Sequence, residues 1–266
     1  MIDTPHSSSS PGRIRSLCRA NRFNRPTAGL AVDYVQANLV VLPAGDAEAF
    51  ESFCRLNPKP CPLLEVTPPG KYEPIQTAPH ADLRTDLPRY RVFENGVCVD
   101  RPMSISHVWR DDFVAFLIGC SFTFESALIA AHLPVRHVEE GKNVPMYRTD
   151  VQCKPAPPFA GPMVVSMRPM TPQQAKLTAE VTGRYPDVHG APAHIGDPSA
   201  IGIDDIAEPD YGDAVTIRPG EIPVFWACGV TPMEAISRAR PQIAITHEPG
   251  HMFITDVPNE TLRRSV

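Results

Sequence analysis

The chain has 266 residues, of which 21% are charged and 42% are hydrophobic, values that are typical of a globular protein. Its formal net charge of −5 argues against a nucleic-acid partner, because such proteins normally carry a surplus of basic residues. Its longest apolar run, 113–120, is far shorter than the roughly 20 residues that span a membrane. We therefore expect no nucleic-acid partner and no membrane segment.

The proline and cysteine contents indicate what kind of globular protein this is. There are 31 prolines, about 12% of the chain where about 5% is average, so we expect many rigid loops. The seven cysteines are an odd number without a C-x-x-C pair, which indicates reduced thiols and a cytoplasmic location. Residues 1–25 have the serine and arginine content of an organellar transit peptide, but we interpret them as a flexible basic segment leading into a short helix.

Local patterns predict the elements of the first half in chain order. Apolar runs and helical spacing indicate strand 39–42, helix 46–57, strand 63–66 and a proline-rich loop over 67–88. The pair Asn95-Gly96 then lies between two short apolar runs. Because both residues tolerate the positive φ of a type I′ turn, they predict a hairpin that joins strands 90–93 and 97–99.

The second half repeats a rhythm of strand, tight turn and helix. Strands are expected at 114–118, 135–138, 163–167, 224–227 and 243–246. Helix 122–132 follows the first strand, and capping boxes at Thr171 and Thr231 start two further helices. This alternation predicts an α/β fold with a mostly parallel or mixed sheet that is flanked by helices.

The fold class also predicts how the chain divides. We expect 26–266 to form one unit, with the main α/β layer built from 27–66 and 161–257. Residues 67–160 should contribute a smaller α+β subdomain that contains the hairpin. With the hairpin in a separate layer, one sheet should hold strands 114–118, 163–167 and 224–227.

The segment from His247 to His251 matches the H-E-x-x-H pattern of zinc proteases. That chemistry needs both histidines one turn apart on a helix, and Pro249-Gly250 between them would break it. We therefore interpret the segment as a turn between strands that presents two imidazoles, and we expect no zincin-type zinc. Two alternatives stay open: histidines that are hydrogen-bonded within the loop, and a different metal site that includes Asp256.

A second group of polar residues follows strand 135–138. The segment supplies His137, the adjacent pair Glu139 and Glu140, the amide of Asn143 and the guanidinium of Arg148. Because adjacent carboxylates repel each other, one of them is expected to have a raised pKa and to serve as a general acid. The alternative is a solvated charged loop.

Two tight turns are expected at the carboxyl ends of strands, where helices begin. Cys120 and Ser121 form the first turn, and Cys228 and Gly229 form the second. Free N–H groups at such helix starts bind anions, and a helix start also favours a thiolate. Either cysteine is therefore a candidate nucleophile or an ordinary packing residue. His189 and His194, in a glycine- and proline-rich loop, complete the set of candidates.

Six motifs together resemble the D-glutamate cyclase family, in its branch of bacterial hydro-lyases, from about residue 27 to 257. They are NPKPCPLLE (57–65), TDLPRYR (85–91), FLIGCSF (116–122), EGKNVPMYR (140–148), HGAPAHIGD (189–197) and THEPGHMFITD (246–256). The resemblance implies that D-glutamate loses water as its amine closes onto its side-chain carboxyl, giving 5-oxo-D-proline. Alternatives are a hydro-lyase that acts on a hydroxy acid, and a non-catalytic protein that binds or senses small carboxylates.

We assign roles to the candidates from what this reaction needs. The base would be His247 or His251, and the acid would be Glu139 or Glu140. Oxyanion donors would be turn amides, and Arg148 would hold the α-carboxylate in a bidentate pair. The catalytic set is thus His247, His251, Glu139, Glu140, Cys120 and Ser121; the substrate-binding set is Asn143, Arg148, His189, His194, Cys228 and Gly229. The sequence specifies no cofactor, and it leaves a divalent metal and a homo-oligomer open.

Overall fold

The structure is a computed structural model, and it describes residues 5–265. Its helices are α1 Pro11–Arg19, α2 Ala44–Leu56, α3 Glu125–Ala130, α4 Arg136–Glu139, α5 Pro172–Gly183 and α6 Thr231–Ala239. The strands of its large sheet are β1 Tyr34–Pro43, β2 Leu63–Val66, β3 Tyr90–Glu94, β4 Val97–Asp100, β5 Phe113–Gly119, β10 Ile243–His247 and β11 Phe253–Pro258. Those of its small sheet are β6 Met146–Gln152, β7 Pro162–Met170, β8 His194–Ile195 and β9 Ile222–Ala227.

Strand β1 is the centre of the large sheet, whose order is β2-β5-β1-β10-β3-β4. Along one edge β1 pairs with β5 over seven residues. Along the other edge it pairs first with β11 and then with β10. The turn between β10 and β11 therefore lies beside the middle of β1, which brings His247 next to Leu39.

The small sheet has the order β6-β7-β9-β8, and β7 is one of its two inner strands. Because side chains alternate along a strand, Ser166 and Arg168 share one face of β7. Val165 and Met167 lie on the other face, where they pack with Phe225. One face of this strand is thus apolar, and the other carries polar groups that are fully buried.

The prediction of a parallel sheet is wrong, because every strand pair in both sheets is antiparallel. Strand 114–118 lies in the large sheet as β5, whereas 163–167 and 224–227 lie in the small sheet as β7 and β9. The hairpin β3–β4 is not in a separate layer, since β3 pairs with β10 in the large sheet. Strands from 27–66 and from 67–160 therefore share one sheet. Periodicity identifies strands but does not specify which strands pair.

Most local predictions are confirmed. The hairpin turns at Asn95 and Gly96, whose φ values are 49° and 81°, and the capping box at Thr171 is formed. The box at Thr231 is not formed, because the Thr231 hydroxyl donates to the carbonyl of Cys228 at 2.7 Å. Residues 135–138 were expected to be a strand, but 136–139 form helix α4.

The short basic helix near the N-terminus is present as α1. Its apolar side chains Ile14 and Leu17 pack in a cluster with Ile254 of β11. Arg15 donates to both carboxylate oxygens of Asp256, at 3.0 and 2.8 Å. The helix is therefore fixed against the large sheet by both apolar and ionic contacts. Within residues 5–265, no helix has the length and apolar character needed to cross a membrane.

Candidate active site

A fully buried arginine links the two sheets. Arg168 of β7 has no exposed surface, and its Nε donates to Oε1 of Glu125 at 3.1 Å, at the start of α3. Its Nη1 donates to the hydroxyl of Ser166 at 3.2 Å, and its Nη2 donates to that of Ser121 at 3.1 Å. Burying a charge is costly unless it is paired, and here carboxylate and hydroxyl groups satisfy it. We call Ser121, Glu125, His137, Ser166 and Arg168 the Arg168 cluster.

Glu125 also contacts a histidine. The Nε2 atom of His137 lies 3.1 Å from Oε1 of Glu125, and the two side chains are 1% and 5% exposed. The imidazole stacks on Phe122, with ring centroids 5.9 Å apart. Burial alone would raise the pKa of Glu125, but a positive charge on His137 together with that of Arg168 outweighs burial and lowers this pKa. Glu125 is therefore an anion that can stabilise a positive charge on His137.

His137 lines a cleft of about 420 Å³, which we call the His137 cleft. Residues 23–30 form one wall, 137–143 form the other, and Pro5 and Asp213 complete the lining. Both ring nitrogens of His137 are buried without a hydrogen bond of good geometry within residues 5–265, and Nε2 has only its 3.1 Å contact with Oε1 of Glu125. The side-chain oxygen Oδ1 of Asn143, in the same lining, is buried and has no hydrogen-bond partner within residues 5–265. Unpaired buried polar atoms are costly, and a bound ligand would satisfy them.

The turn before β11 fixes the orientation of Asn143. The Asn143 side-chain amide donates to the carbonyl of Pro249 at 3.1 Å. Gly250 has a φ of 83°, and a Cβ added there would lie 2.3 Å from the Asn143 carbonyl oxygen. Only glycine allows this close approach, so the turn packs against the Asn143 side-chain amide, with the amide oxygen nearest, and holds it in one orientation.

Two cations line the same cleft. Lys142 donates to the carbonyl of Ala214 at 2.8 Å and pairs with Glu140 at 2.9 Å. The Arg25 guanidinium lies over the ring of Phe23, with Cζ 5.8 Å from the ring centroid. In the described part of the chain, no carboxylate forms an ion pair with Arg25. Arg25 is therefore available to an anionic ligand.

The H-E-x-x-H segment is a turn, as predicted, rather than a helix. His247 is buried at the end of β10, where its Nδ1 accepts from the backbone N–H of Leu39 at 3.2 Å. Burial lowers the pKa of His247 to about 4 and also lowers that of His251. Glu248 pairs with Arg91 instead of facing the histidines, with Oε2 2.9 Å from Nε. Among residues 5–265, no group of three histidine, cysteine or acidic side chains is arranged to hold a metal.

The predicted carboxylate pair occupies an ion-paired surface. Glu139 pairs with Arg136 at 3.1 Å, and Glu140 pairs with Lys142. Hydrogen bonds from Lys142 and Thr216 lower the pKa of Glu140 to about 2. The raised pKa that was predicted for one of these adjacent carboxylates is therefore not found at Glu140, because cationic and N–H donors outweigh the repulsion from its neighbour.

Arg148 lies in a separate network on β6. Its Nε donates to Glu234 at 2.7 Å, its Nη1 to Asp210 at 2.6 Å and its Nη2 to the hydroxyl of Tyr211 at 3.0 Å. Three of its donor atoms are thus engaged by side chains from a loop and from α6. Tyr211 connects this network to the H-E-x-x-H turn, because its ring centroid lies 5.2 Å from Cζ of Arg148 and 5.8 Å from Cζ of Arg91, the partner of Glu248.

The two predicted turns meet although their strands belong to different sheets. The side-chain amide of Asn38 donates to the carbonyl of Gly119 at 2.8 Å, and a Cβ added at Gly229 would lie 1.9 Å from the same amide. Burial raises the pKa of Cys120 and raises that of Cys228 to about 11. Neither thiol is therefore ionised near neutral pH.

The remaining histidines do not join the His137 cleft. His189 is buried, with Nδ1 2.8 Å from the carbonyl of Lys59, and it lines a different cleft. His194 lies on β8, with Nε2 2.7 Å from the carbonyl of Asp197. Of the predicted site residues, Asn143 lines the His137 cleft and Ser121 belongs to the adjoining Arg168 cluster.

Comparison with known proteins shows which family the chain belongs to. The model of the family described as D-glutamate cyclase matches residues 114–256. A relative from Bacillus velezensis named "Putative hydro-lyase" is 56% identical over 95% of this chain and 96% of its own length. This chain belongs to the D-glutamate cyclase family. A relative from Bordetella petrii with the same designation is 55% identical over 98% of this chain and 99% of its own length.

A third relative, from Stutzerimonas stutzeri and also named "Putative hydro-lyase", is 55% identical over 95% of this chain and 96% of its own length. Among solved structures, a nitrogen repressor-like protein from Methanococcus jannaschii aligns over 92% of this chain and 97% of its own, with 10% identity and a TM-score of 0.38. The family resemblance inferred from the six motifs is therefore confirmed by close relatives along nearly the whole chain.

Sequence reasoning missed Arg168, Glu125 and Arg25. A signal for the first was present, since Arg168 is a charged residue inside an apolar strand, between Met167 and Pro169. Lys, Glu, Arg and Asp are almost never fully buried unless they are paired, so this position called for a buried partner. The partner Glu125 lies 43 residues away in sequence, and no local pattern connects the two.

Proposed function

We propose that this protein is a hydro-lyase that closes D-glutamate, or a closely related amino dicarboxylate, into its lactam with loss of water. The amine nitrogen forms a bond to the carbon of the side-chain carboxyl, and the carboxyl hydroxyl leaves as water. Family membership and the names of the close relatives support the class of reaction. The observation that carries the proposal is His137, which lines a cleft with Nδ1 unpaired while Nε2 contacts a buried carboxylate.

His137 is the proton-transfer group in this proposal. A carboxylate beside Nε2 favours the tautomer that carries its proton there, which leaves Nδ1 as the acceptor for a proton from the substrate ammonium. The resulting imidazolium is stabilised by the Glu125 anion at 3.1 Å. This proton passes to a side-chain carboxylate oxygen, the nitrogen bonds to the carboxyl carbon, and a second proton from that nitrogen follows through His137 to the same oxygen, which leaves as water. His137 therefore acts as base and then as acid in both transfers.

The rest of the cleft positions the substrate. A dicarboxylate carries two negative charges, and the exposed Arg25 lies in the lining to receive one of them. Lys142, in the same lining, would receive the other in exchange for its ion pair with Glu140. The unpaired oxygen of Asn143 accepts a hydrogen bond from the substrate amine. Closing a five-membered ring requires the amine and the side-chain carboxyl to be held together, so this orientation contributes directly to the rate.

Ser121 and Arg168 are positioning residues in this scheme. Arg168 holds the Glu125 carboxylate, and Ser121 accepts a hydrogen bond from Arg168 at 3.1 Å. This chain of contacts keeps Glu125 ionised and directed at His137. We also propose a cytoplasmic location, because all seven cysteines are unpaired and suit a reducing compartment.

The test is conversion of D-glutamate to 5-oxoproline, followed by chiral chromatography, with L-glutamate as the stereochemical control. His137→Gln keeps a polar side chain but cannot relay the proton, so kcat should fall by about 10²–10⁴-fold. Arg25→Met should raise KM by about tenfold with little change in kcat. Arg22→Met is its matched control, since Arg22 is exposed and lies outside the lining.

Two outcomes would contradict this proposal. Full activity of His137→Gln would mean that the His137 cleft is not the catalytic site. The second is a folded wild type that binds D-glutamate and small hydroxy dicarboxylates such as malate but turns over none of them. That result would favour a non-catalytic carboxylate-binding protein.

A further inference from the structure

A carboxylate lies among the cations of the His137 cleft. Asp213 completes the lining that contains Arg25 and Lys142, and it comes from the long loop between β8 and β9. A negative charge in this position repels a dicarboxylate unless the ligand also carries a positive charge. Asp213 therefore bears on which dicarboxylates the cleft can accept.

Two hydrogen bonds fix Asp213 beside Asn143. Its Oδ2 atom accepts from the backbone N–H of Asn143 at 2.8 Å, and its backbone N–H donates to the backbone carbonyl of Asn143 at 3.2 Å. The next residue, Ala214, accepts from the Lys142 ammonium at 2.8 Å. The loop is thus attached to the cleft wall at two successive residues, which gives the Asp213 carboxylate a defined place next to Asn143.

The Asp213 carboxylate has no cationic partner. It is exposed, and among residues 5–265 no lysine, arginine or histidine forms an ion pair with it. Lys142 reaches the adjacent Ala214 but pairs with Glu140 instead, at 2.9 Å. Within the described chain, Oδ1 of Asp213 accepts no hydrogen bond, since Asn143 binds Oδ2. The ammonium group of a ligand can therefore reach a free oxygen of this carboxylate.

The charges of the lining match those of an amino dicarboxylate. At pH 7, D-glutamate carries two carboxylates, which suit Arg25 and Lys142, and one ammonium with three N–H donors. The lining offers three acceptors to that ammonium: Nδ1 of His137, Oδ1 of Asn143 and Oδ1 of Asp213. A hydroxy dicarboxylate has one O–H donor and no positive charge, so it leaves Asp213 without a counter-ion.

We propose that Asp213 determines the specificity of the His137 cleft, because it binds the substrate ammonium and disfavours dicarboxylates that lack one. This inference rests on the proposed function, since it concerns the same cleft and the same substrate. A charge-assisted hydrogen bond to Asp213 stabilises the bound amino acid. Repulsion that no ligand charge offsets weakens binding of the others. The cleft should therefore accept amino dicarboxylates and reject hydroxy dicarboxylates.

Isothermal titration calorimetry at pH 7 tests the proposal with two probes of the same shape. D-Aspartate carries an ammonium where (R)-2-methylsuccinate carries a methyl group, and both have two carboxylates. D-Aspartate could close only to a strained four-membered ring, so its binding is measured without the proposed turnover. The wild type should bind D-aspartate at least about tenfold more tightly than (R)-2-methylsuccinate.

The variant Asp213→Asn connects this preference to the carboxylate. The asparagine oxygen still accepts from the Asn143 N–H, so the loop stays attached while the negative charge is lost. Binding of D-aspartate should weaken by about tenfold, whereas binding of (R)-2-methylsuccinate should become about two- to fivefold tighter as the repulsion is removed. A general distortion of the cleft would weaken both. Asp204→Asn is the matched control and should change neither affinity, since Asp204 is exposed and lies outside the lining.

The proposal is overturned if the wild type shows no preference or binds neither probe. It is equally overturned if Asp213→Asn keeps the preference, or if both probes weaken equally in that variant. A separate assay of D-glutamate turnover distinguishes this proposal from the proposed function. Turnover without a preference that depends on Asp213 overturns this proposal alone. The expected preference in a protein that turns over no D-glutamate supports Asp213 as a determinant of binding and contradicts the proposed function.

Discussion

One oxygen of Glu125, Oε1, receives both Nε and Nη2 of Arg168, while the other oxygen, Oε2, is buried without a hydrogen-bond partner. The carboxylate is therefore held at one end, and its charge is concentrated where it meets Arg168 and His137. Such a pair gives little net stability compared with an apolar replacement. Replacing only one of the two partners, however, leaves the other charge buried without a counter-ion. The resulting loss of unfolding free energy can be measured.

Glu125→Gln should lower the free energy of unfolding by about 3–5 kcal/mol, because it leaves the Arg168 guanidinium buried without its counter-ion. Urea denaturation at pH 7 measures the change. The control is Glu51→Gln, which breaks the exposed pair with Arg55 and should cost less than about 1 kcal/mol. Equal, small losses in the two variants would mean that the buried pair does not need both charges.

Gly250→Ala should destabilise the protein by about 2–4 kcal/mol and raise the KM of the proposed substrate. An added Cβ would lie 2.3 Å from the Asn143 carbonyl oxygen, at a φ of 83°. Gly220→Ala is the matched control, since its φ is 84°, no atom lies within 4 Å of the new Cβ, and it lies outside the lining of the His137 cleft. The control therefore carries only the backbone cost, of about 1 kcal/mol. If both variants behave alike, the contact with Asn143 contributes nothing.

Arg148→Lys should lower the free energy of unfolding by about 1 kcal/mol and leave KM nearly unchanged. Lysine keeps the positive charge, but it cannot reach Glu234, Asp210 and Tyr211 at once as the planar guanidinium does. Thermal denaturation and a substrate titration together measure the two effects. A KM that rises as much as in Arg25→Met would instead support the role first assigned to Arg148, as anchor of the α-carboxylate.

Much of the local structure could be predicted from the sequence, because its causes are local. The positive φ at Asn95 and Gly96 sets the hairpin, and the Thr171 capping box starts α5. The order of the strands in the sheets could not be predicted from the sequence, because β1 pairs with strands from the far end of the chain. The apolar run of β5 suits an antiparallel strand that is buried on both faces as well as it suits a parallel strand.

The candidate site shows the same division between local and distant causes. The turn at Pro249-Gly250 could be predicted from two residues that cannot continue a helix. The approach of Asn143 to that turn, and of Glu125 to Arg168, depends on pairings across 106 and 43 residues. Residues 135–138 were assigned to a strand because their β-branched ends favour one, yet His137 reaches Glu125 from helix α4.

The buried His247 gives a stability that depends on pH. Its pKa is about 4 in the folded protein and about 6.5 when exposed in the unfolded chain. The folded pKa is depressed, so the unfolded state binds the extra proton first as the pH falls. The stability from the neutral ring is therefore fully present above about pH 6.5 and is lost progressively down to about pH 4.

His247→Asn should reduce this loss. The asparagine oxygen can accept the hydrogen bond from the Leu39 N–H that Nδ1 of His247 now accepts at 3.2 Å. Between pH 7 and pH 5 the wild type should lose about 1–2 kcal/mol more unfolding free energy than His247→Asn, by urea denaturation at both values. His80→Asn, which replaces a histidine with a 94% exposed side chain, should lose as much as the wild type. An unchanged pH dependence in His247→Asn would mean that its imidazole is already protonated in the folded protein at pH 5.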